Sequence, residues 1–219
     1  MIKMTGAPLV RLVDDDDTYR QSQILFLGIF GFSVQGWSNA AAFLAEEKFV
    51  RPGCIVLDIR MPGMNGIELH QELSQIGCGV SHPILFLTGH GDIETAVHSL
   101  KAGAFDFIEK HGDPMRLKEA VEKACTQSLR VASQINETLR REEIFNSLTA
   151  RERDVLLPAA LGVPNKIIAT KLGIGTETVK MHRANAFGKL GVQSALEAYR
   201  WLEVFDSNKI ATSKNPGSN

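Results

Sequence analysis

The stretch LVRLVDDDDTYR, residues 9–20, decides how the chain is read. Its first part, LVRLV (9–13), is a short run of strand character, and four consecutive acids, Asp14 to Asp17, follow it directly. Carboxylates side by side repel one another and are costly to take out of water. Such a run is ordinarily a solvated loop. Placed where a strand ends, it is also what a divalent cation needs, because hard cations are held by several carboxylate oxygens at once. What stands at the ends of the other strands decides between the two.

Four more apolar runs follow: FSVQGW (32–37), CIVLDI (54–59), PILFLTG (83–89) and FDFIEK (105–110). Helical patterns separate them, over about 18–31, 39–47, 66–76 and 92–101. CIVLDI is almost wholly apolar, as a strand covered on both faces should be. Repeated strand-then-helix units predict an α/β fold, a doubly wound five-stranded parallel sheet with helices on both faces. Sites in such sheets lie at the carboxyl ends of strands. There the chain offers Asp14 and Asp15, Asp58, Thr88 and Lys110. Three acids, one hydroxyl and one ammonium are a set that would hold Mg²⁺ (or Mn²⁺) together with a phosphoryl group. Asp16 and Asp17 are expected to open the next helix, where acids suit the positive end of the dipole.

The last third has a different character. Asp113-Pro114 marks a helix start, and no Gly or Pro interrupts the chain from there to Asn146, giving one helix of about ten turns at most. Thr149 and Glu152 have capping-box spacing. Short helices are expected over about 150–161, 165–172, 176–189 and 194–205, broken at Gly162-Val163-Pro164, Gly173-Ile174-Gly175 and Gly191. NKIIATKLGIGTETVKMHRANAFGKLGV therefore has helix, glycine turn, helix, the layout that puts its second helix in a DNA major groove. Ile168, Leu172, Ile174, Val179, Phe187 and Leu190 would form its core. Domains are expected at 1–125, a helical linker at 126–145, a DNA-binding module at 146–208 and a disordered tail at 209–219.

Charge divides along the same line. Residues 1–128 hold 16 acids against 11 bases, and residues 129–219 hold 9 against 13. An acidic half joined to a basic half suits a signalling or metal domain attached to a nucleic-acid binder. Three scattered cysteines without a CxxC pair argue against structural zinc and for a reducing cytoplasm. Neither a membrane-length apolar run nor a signal-peptide pattern stands out, so no membrane partner is expected.

The five strand-end residues, with MPGMNG after Asp58, resemble the receiver domain of two-component response regulators over roughly residues 8–125. TGHGD (88–92) resembles the branch that includes the FixJ regulators. The resemblance implies a CheY/flavodoxin-like fold in which Asp58 attacks the phosphohistidine of a sensor histidine kinase. It further implies Mg²⁺ on Asp15, on Asp14 mainly through water, on Asp58 and on the backbone carbonyl of Arg60. Lys110 would pair with the phosphate, and Thr88 would move to bond it and let Phe107 rotate inward. His90 is read as a loop residue, although its place two after Thr88 could tune the phosphate lifetime. Lys110-His111 departs from the family's usual Lys-Pro, whose peptide is commonly cis.

LTARERDVL, NKxIAxxLxI and TVKxHRxxxxxKLGV resemble the LuxR-type domain of NarL/FixJ regulators over about 146–205. That resemblance implies binding of double-stranded promoter DNA as a homodimer formed on phosphorylation, with RNA polymerase as a further partner. Thr176 to Ala184 would lie in the groove, with Thr176 and Thr178 among the contacts. Lys166, Lys180 and Arg183 are the phosphate candidates, Met181 and Ala184 the base candidates, and His182 a packed histidine. Pro158 interrupts a helix that is continuous in the family, and Pro164 replaces a capping Ser.

Two other readings compete. Asp14-x-Asp16-x-Thr18 also fits the DxDxT motif of haloacid-dehalogenase-type phosphatases, an enzyme that would need Asp14 rather than Asp58. The basic module could instead bind protein or RNA, with little salt dependence toward duplex DNA.

Overall fold

The computed structural model describes residues 3–89 and 103–213, with 206–213 given by backbone alone. The expected helix over 92–101, and His90, lie outside the described residues. The chain folds as two compact units, Met1–Asn136 and Glu137–Asn219.

Strands β1 (Leu9–Val13), β2 (Ser33–Trp37), β3 (Gly53–Asp58), β4 (Ile84–Thr88) and β5 (Asp106–Glu109) form one parallel sheet in the order β2-β1-β3-β4-β5. Every residue of β1, β3 and β4 is buried, because these central strands are covered on both faces. On one face, Val10, Leu12, Cys54, Val56, Leu85 and Leu87 pack with helices α1 (Asp17–Ile29) and α5 (Pro114–Asn146). On the other, Val13, Ile55, Leu57, Ile84 and Phe86 pack with α2 (Ala40–Glu46) and α3 (Gly66–Gln75). The alternation of side chains along each strand thus sorts them into two cores. Strand β1 has β2 on one side and β3 on the other, so the chain reverses direction across the sheet there. The crevice at the carboxyl ends of β1 and β3 is the switch point where such folds place a site.

Arg11 is fully buried in the middle of β1, against the apolar pattern of its neighbours. Its guanidinium meets Glu47 (Nε to Oε2, 3.0 Å) and donates to the carbonyls of Arg51 and Leu9, at 2.8 and 3.2 Å. Gly53 opens β3 at φ +143°, and a Cβ there would stand 1.9 Å from the Leu9 carbonyl oxygen. Its N–H donates to Ser128 Oγ of α5 at 2.7 Å. These contacts fix the start of the strand that ends in Asp58. A one-turn helix α4 (Cys78–Ser81), not expected from the sequence, precedes β4.

In the second unit, α6 (Ala150–Ala160), α7 (Asn165–Leu172), α8 (Thr176–Leu190) and α9 (Ala195–Ser213) surround Val155, Leu156, Ile168, Val179, Phe187, Leu190 and Trp201. Leu172 and Ile174 pack partly buried against that core. The Thr149–Glu152 capping box forms: Glu152 N–H donates to Thr149 Oγ1 at 3.2 Å, and Thr149 N–H to Glu152 Oε2 at 2.8 Å. Helix α6 continues through Pro158 but ends two residues later, so the missing N–H weakens only the last turn. Pro164 stands at the N-cap of α7, one place before the first helical residue, and supplies no side-chain hydrogen bond. Helix α9 runs to Ser213, past the expected end near 205 and into the segment expected to be a tail from 209. No Gly or Pro lies between Gly191 and Pro216 to stop it.

Candidate functional site

Four strand ends carry the predicted site residues. Asp14 follows β1, Asp58 closes β3, Thr88 closes β4 and Lys110 follows β5. Asp14 and Asp58 are buried and Asp15 is exposed, and one carboxylate oxygen from each lies within 4.8 Å of the others. Lys110 Nζ sits between the buried pair, 2.8 Å from Asp14 Oδ2 and 2.9 Å from Asp58 Oδ2. Its backbone N–H donates to the Thr88 carbonyl at 2.9 Å, which ties the ends of β4 and β5 together. The Lys110–His111 peptide is trans.

One ammonium serves two buried carboxylates, and the titration of the groups follows. Burial pulls the Lys110 ammonium down, but its bonds to Asp14 and Asp58 outweigh that and hold it above the ordinary lysine value. Asp14 has the opposite outcome. Burial raises its carboxyl above the usual range, although Lys110 and the Asp16 N–H, which donates to Oδ1 at 3.0 Å, both pull it down. Asp14 Oδ2 has ionic contact with Lys110 but no hydrogen bond of good geometry, so it is an under-satisfied buried oxygen. Two carboxylates at such separations repel by about 3–4 kcal/mol at an effective dielectric of 20. Three acids against one lysine leave a negative excess, with oxygens aimed into one small volume. Hard divalent cations fit this donor set, and Asp14, Asp15 and Asp58 are the residues that could hold one.

The rest of the acidic run has a different task. Asp16 is the N-cap of α1, and its carboxylate accepts from the N–H groups of Thr18 (2.9 Å) and Tyr19 (3.0 Å). Those bonds, the larger being that from Tyr19, hold its carboxyl below the usual range. Asp17 is the first helical residue and pairs with Arg20. The phosphatase reading needs Asp16 as the second acid of the site. With its side chain turned to the helix start, and with Asp58 in the cluster, that reading loses its proton donor.

Sequence reasoning misses Arg20. It is buried, and besides pairing with Asp17 it donates to the Asp14 carbonyl at 2.5 Å. Gly36 of β2 leaves it room, since a Cβ there would meet the Arg20 side chain at 3.1 Å. Only an arginine six residues after a strand end hints at this, and such spacing is common in any helix. Tyr19 is missed in the same way: its ring lies under Lys110, with Nζ 5.0 Å from the centroid.

The loop after Asp58 is fixed by its glycines and caps. Gly66 opens α3 with its N–H on the Ile59 carbonyl (3.1 Å), and a Cβ would stand 2.1 Å from the Asp58 carbonyl oxygen. Asn65 and Glu68 form the capping box of α3. Arg60, whose carbonyl the family resemblance implicates, is exposed in this loop. Thr88, the last residue of β4, is buried. Phe107 on β5 is half-buried and stacked on Phe86, centroids 5.0 Å apart.

In the second unit, α7 ends at Gly173 in the left-handed region (φ +65°), and α8 begins shortly after it at Thr176. Along α8, Lys180, Met181 and Ala184 are exposed, and Thr176, Thr178, His182 and Arg183 are half-buried. Lys180 pairs with Glu177 at 2.7 Å. Arg183 lies over the Phe187 ring, 5.1 Å from its centroid, and donates to Asn165 Oδ1 at 3.4 Å. Its guanidinium is therefore partly ordered before any ligand arrives. Lys166 is exposed on α7.

The fold and the clustered strand-end acids define a class: an α/β domain of the phosphoryl-receiving type, followed by a helix-turn-helix unit. Comparison with known proteins narrows it. The response regulator receiver domain matches residues 10–122, and the luxR family of bacterial regulatory proteins matches residues 146–202. The transcriptional regulatory protein FixJ of Rhizobium meliloti is 38% identical over 185 residues, covering 84% of this chain and 90% of that one. The tetrathionate response regulatory protein TtrR of Salmonella typhimurium is 35% identical over 211 residues, covering 94% and 98%. Among solved structures, response regulator StyR aligns with a TM-score of 0.83 at 39% identity, covering 90% of this chain and 99% of that one. Full-length FixJ from B. japonicum aligns with a TM-score of 0.54 at 34% identity, covering 93% and 99%. The chain belongs to the NarL/FixJ family of response regulators, transcriptional regulators of two-component systems with a receiver and a LuxR-type DNA-binding domain. Among the described residues, no helix is long and apolar enough to cross a membrane.

The raised Asp14 carboxyl gives a signed prediction. A buried acid titrating above its unfolded value costs stability at neutral pH, and the cost vanishes as pH falls from its folded value to 3.8. Asp14→Asn should therefore stabilise the metal-free protein at pH 7 by roughly 0.5–2 kcal/mol, seen as a higher thermal midpoint. Thermal unfolding followed from pH 7 downward should show that advantage shrinking.

Proposed function

We propose that phosphorylation of Asp58 switches the regulator. The phosphohistidine of a sensor histidine kinase is the donor: the Asp58 carboxylate attacks phosphorus as nucleophile, the P–N bond breaks and the kinase histidine leaves. Asp15, Asp14, Asp58 and the Arg60 carbonyl would hold Mg²⁺ (or Mn²⁺), which would supply positive charge to the phosphoryl oxygens. Lys110, already 2.9 Å from Asp58 Oδ2, is placed to pair with the transferred group. Thr88 then bonds it and Phe107 turns inward, biasing a two-state switch. The observation that carries this reading is the single ammonium shared by two buried carboxylates at the end of a parallel sheet.

The output is a homodimer on promoter DNA, with the two α8 helices about one helical turn of DNA apart. Lys166, Lys180 and Arg183 contact phosphates, with Thr176 and Thr178 beside them, and Met181 and Ala184 face bases. The chain divides into a receiver (1–125), a helical linker (126–145), the DNA-binding module (146–208) and a terminal segment (209–219) that α9 enters as far as Ser213. It works in the cytoplasm, with RNA polymerase as a further partner, and is not a dedicated enzyme.

Intact mass after incubation with Mg²⁺ and acetyl phosphate tests the first step. The parent should gain one phosphoryl group; Asp58→Ala should not, and excess EDTA should abolish the gain. Uptake by Asp58→Ala equal to the parent would sink the assignment. For the output, Lys180→Ala and Arg183→Ala should weaken binding to a selected DNA site about equally across sequences. Each should reduce the slope of log affinity against log salt by roughly 1.

A further inference from the structure

The first turn of α1 carries a side chain that the receiver chemistry leaves without a role. Tyr19 lies with its ring under the Lys110 ammonium, 5.0 Å from Nζ to centroid. Its backbone is fixed on one side by Asp16, which accepts its N–H at 3.0 Å. Arg20 fixes the same turn on the other side, through the Asp14 carbonyl and Asp17. The ring packs half-buried against the apolar core shared by α1 and α5. The Lys110 side chain retains only 14% of its exposure. Carboxylates thus meet the ammonium on one side and an aromatic face on another, which holds a cation by its quadrupole and excludes water.

We propose that Tyr19 is a positioning residue for Lys110, and that its ring sets the lifetime of the aspartyl-phosphate. This rests on Asp58 being the acceptor. In the decay step, water attacks phosphorus and the bond from phosphorus to the Asp58 oxygen breaks. Inorganic phosphate leaves, the Asp58 carboxylate is regenerated, and the proton of water goes to phosphate or solvent. A ring under Lys110 holds the ammonium on the phosphoryl oxygens and closes one side of the pocket to water. The hydroxyl has no part in this, so phenylalanine should serve as well as tyrosine.

The test uses the full chain as Tyr19→Phe and Tyr19→Leu, the second keeping apolar bulk without a ring. After labelling with acetyl phosphate and Mg²⁺ and removal of donor, the phosphoprotein half-life of Tyr19→Phe should equal the parent's within about twofold. Tyr19→Leu should shorten it by roughly two- to fivefold, as loss of a partly exposed cation–π contact would. A second readout needs neither metal nor phosphate. The Lys110 side-chain methylene protons should be shifted upfield by the ring in the parent and Tyr19→Phe, and should lose that shift in Tyr19→Leu. An unchanged half-life or an unchanged Lys110 resonance in Tyr19→Leu overturns the proposal, as does a Phe variant that behaves like Leu. A parent that takes up no phosphoryl group overturns the lifetime claim together with the Asp58 reading. A labelled parent with an unchanged Leu variant overturns this claim alone.

Discussion

One lysine between two buried aspartates is the constraint on which the receiver depends. Lys110 can stand 2.8 and 2.9 Å from Asp14 and Asp58 only if β1, β3 and β5 end at the same level of one parallel sheet. The strand order puts β3 beside β1, and β4 between β3 and β5, so Lys110 must reach across β4. Its backbone bond to Thr88 fixes the point from which it reaches. Charge balance then makes the arrangement responsive. With more carboxylate than ammonium in one enclosed volume, the site gains from added positive charge, and under the proposed function a phosphoryl group arriving with a divalent cation would bring Lys110 new partners.

The opening acids divide by geometry. Asp14 is drawn into the sheet edge because β1 ends under it, and Asp15 faces outward beside it. Asp16 and Asp17 belong to the helix, one capping its N–H groups and the other paired with Arg20. Four like charges in a row are tolerated because they leave the backbone in different directions and meet different partners. Burial, not sequence position, decides which of them is destabilised: Asp14 is raised and Asp16 lowered.

Most of this is legible in the sequence, for definite reasons. Continuous apolar runs of strand length mark β3 and β4, and LVRLV, broken only by Arg11, marks β1, because central parallel strands are buried on both faces and need no polar alternation. Asp58 and Thr88 are legible because each stands at the end of such a run, and Lys110 because it closes the last strand-like stretch, FDFIEK. The Gly173 turn and the Thr149–Glu152 box mark helix ends through local backbone chemistry alone. What is not legible depends on partners distant in sequence. Arg11 looks misplaced in a strand until Glu47 and the Arg51 carbonyl are brought to it. Arg20 and Tyr19 are ordinary helix residues until the fold sets them against Asp14 and Lys110. Helix α9 is longer than its sequence suggests because polar composition does not stop a helix, whereas Gly or Pro does.

The strand-end carboxylates are proposed to form a divalent-cation site whose excess charge the protein carries at a cost. Thermal unfolding of the full chain against Mg²⁺ concentration, for parent and Asp15→Asn at pH 7, tests it most directly. Asp15 is exposed and outside the Lys110 pair, so its loss should leave the metal-free fold intact. A divalent-cation site there should give a saturable rise in the parent's midpoint, following the linkage of binding to stability, and little or none in Asp15→Asn. A parent indifferent to Mg²⁺, or two proteins that respond alike, would contradict it.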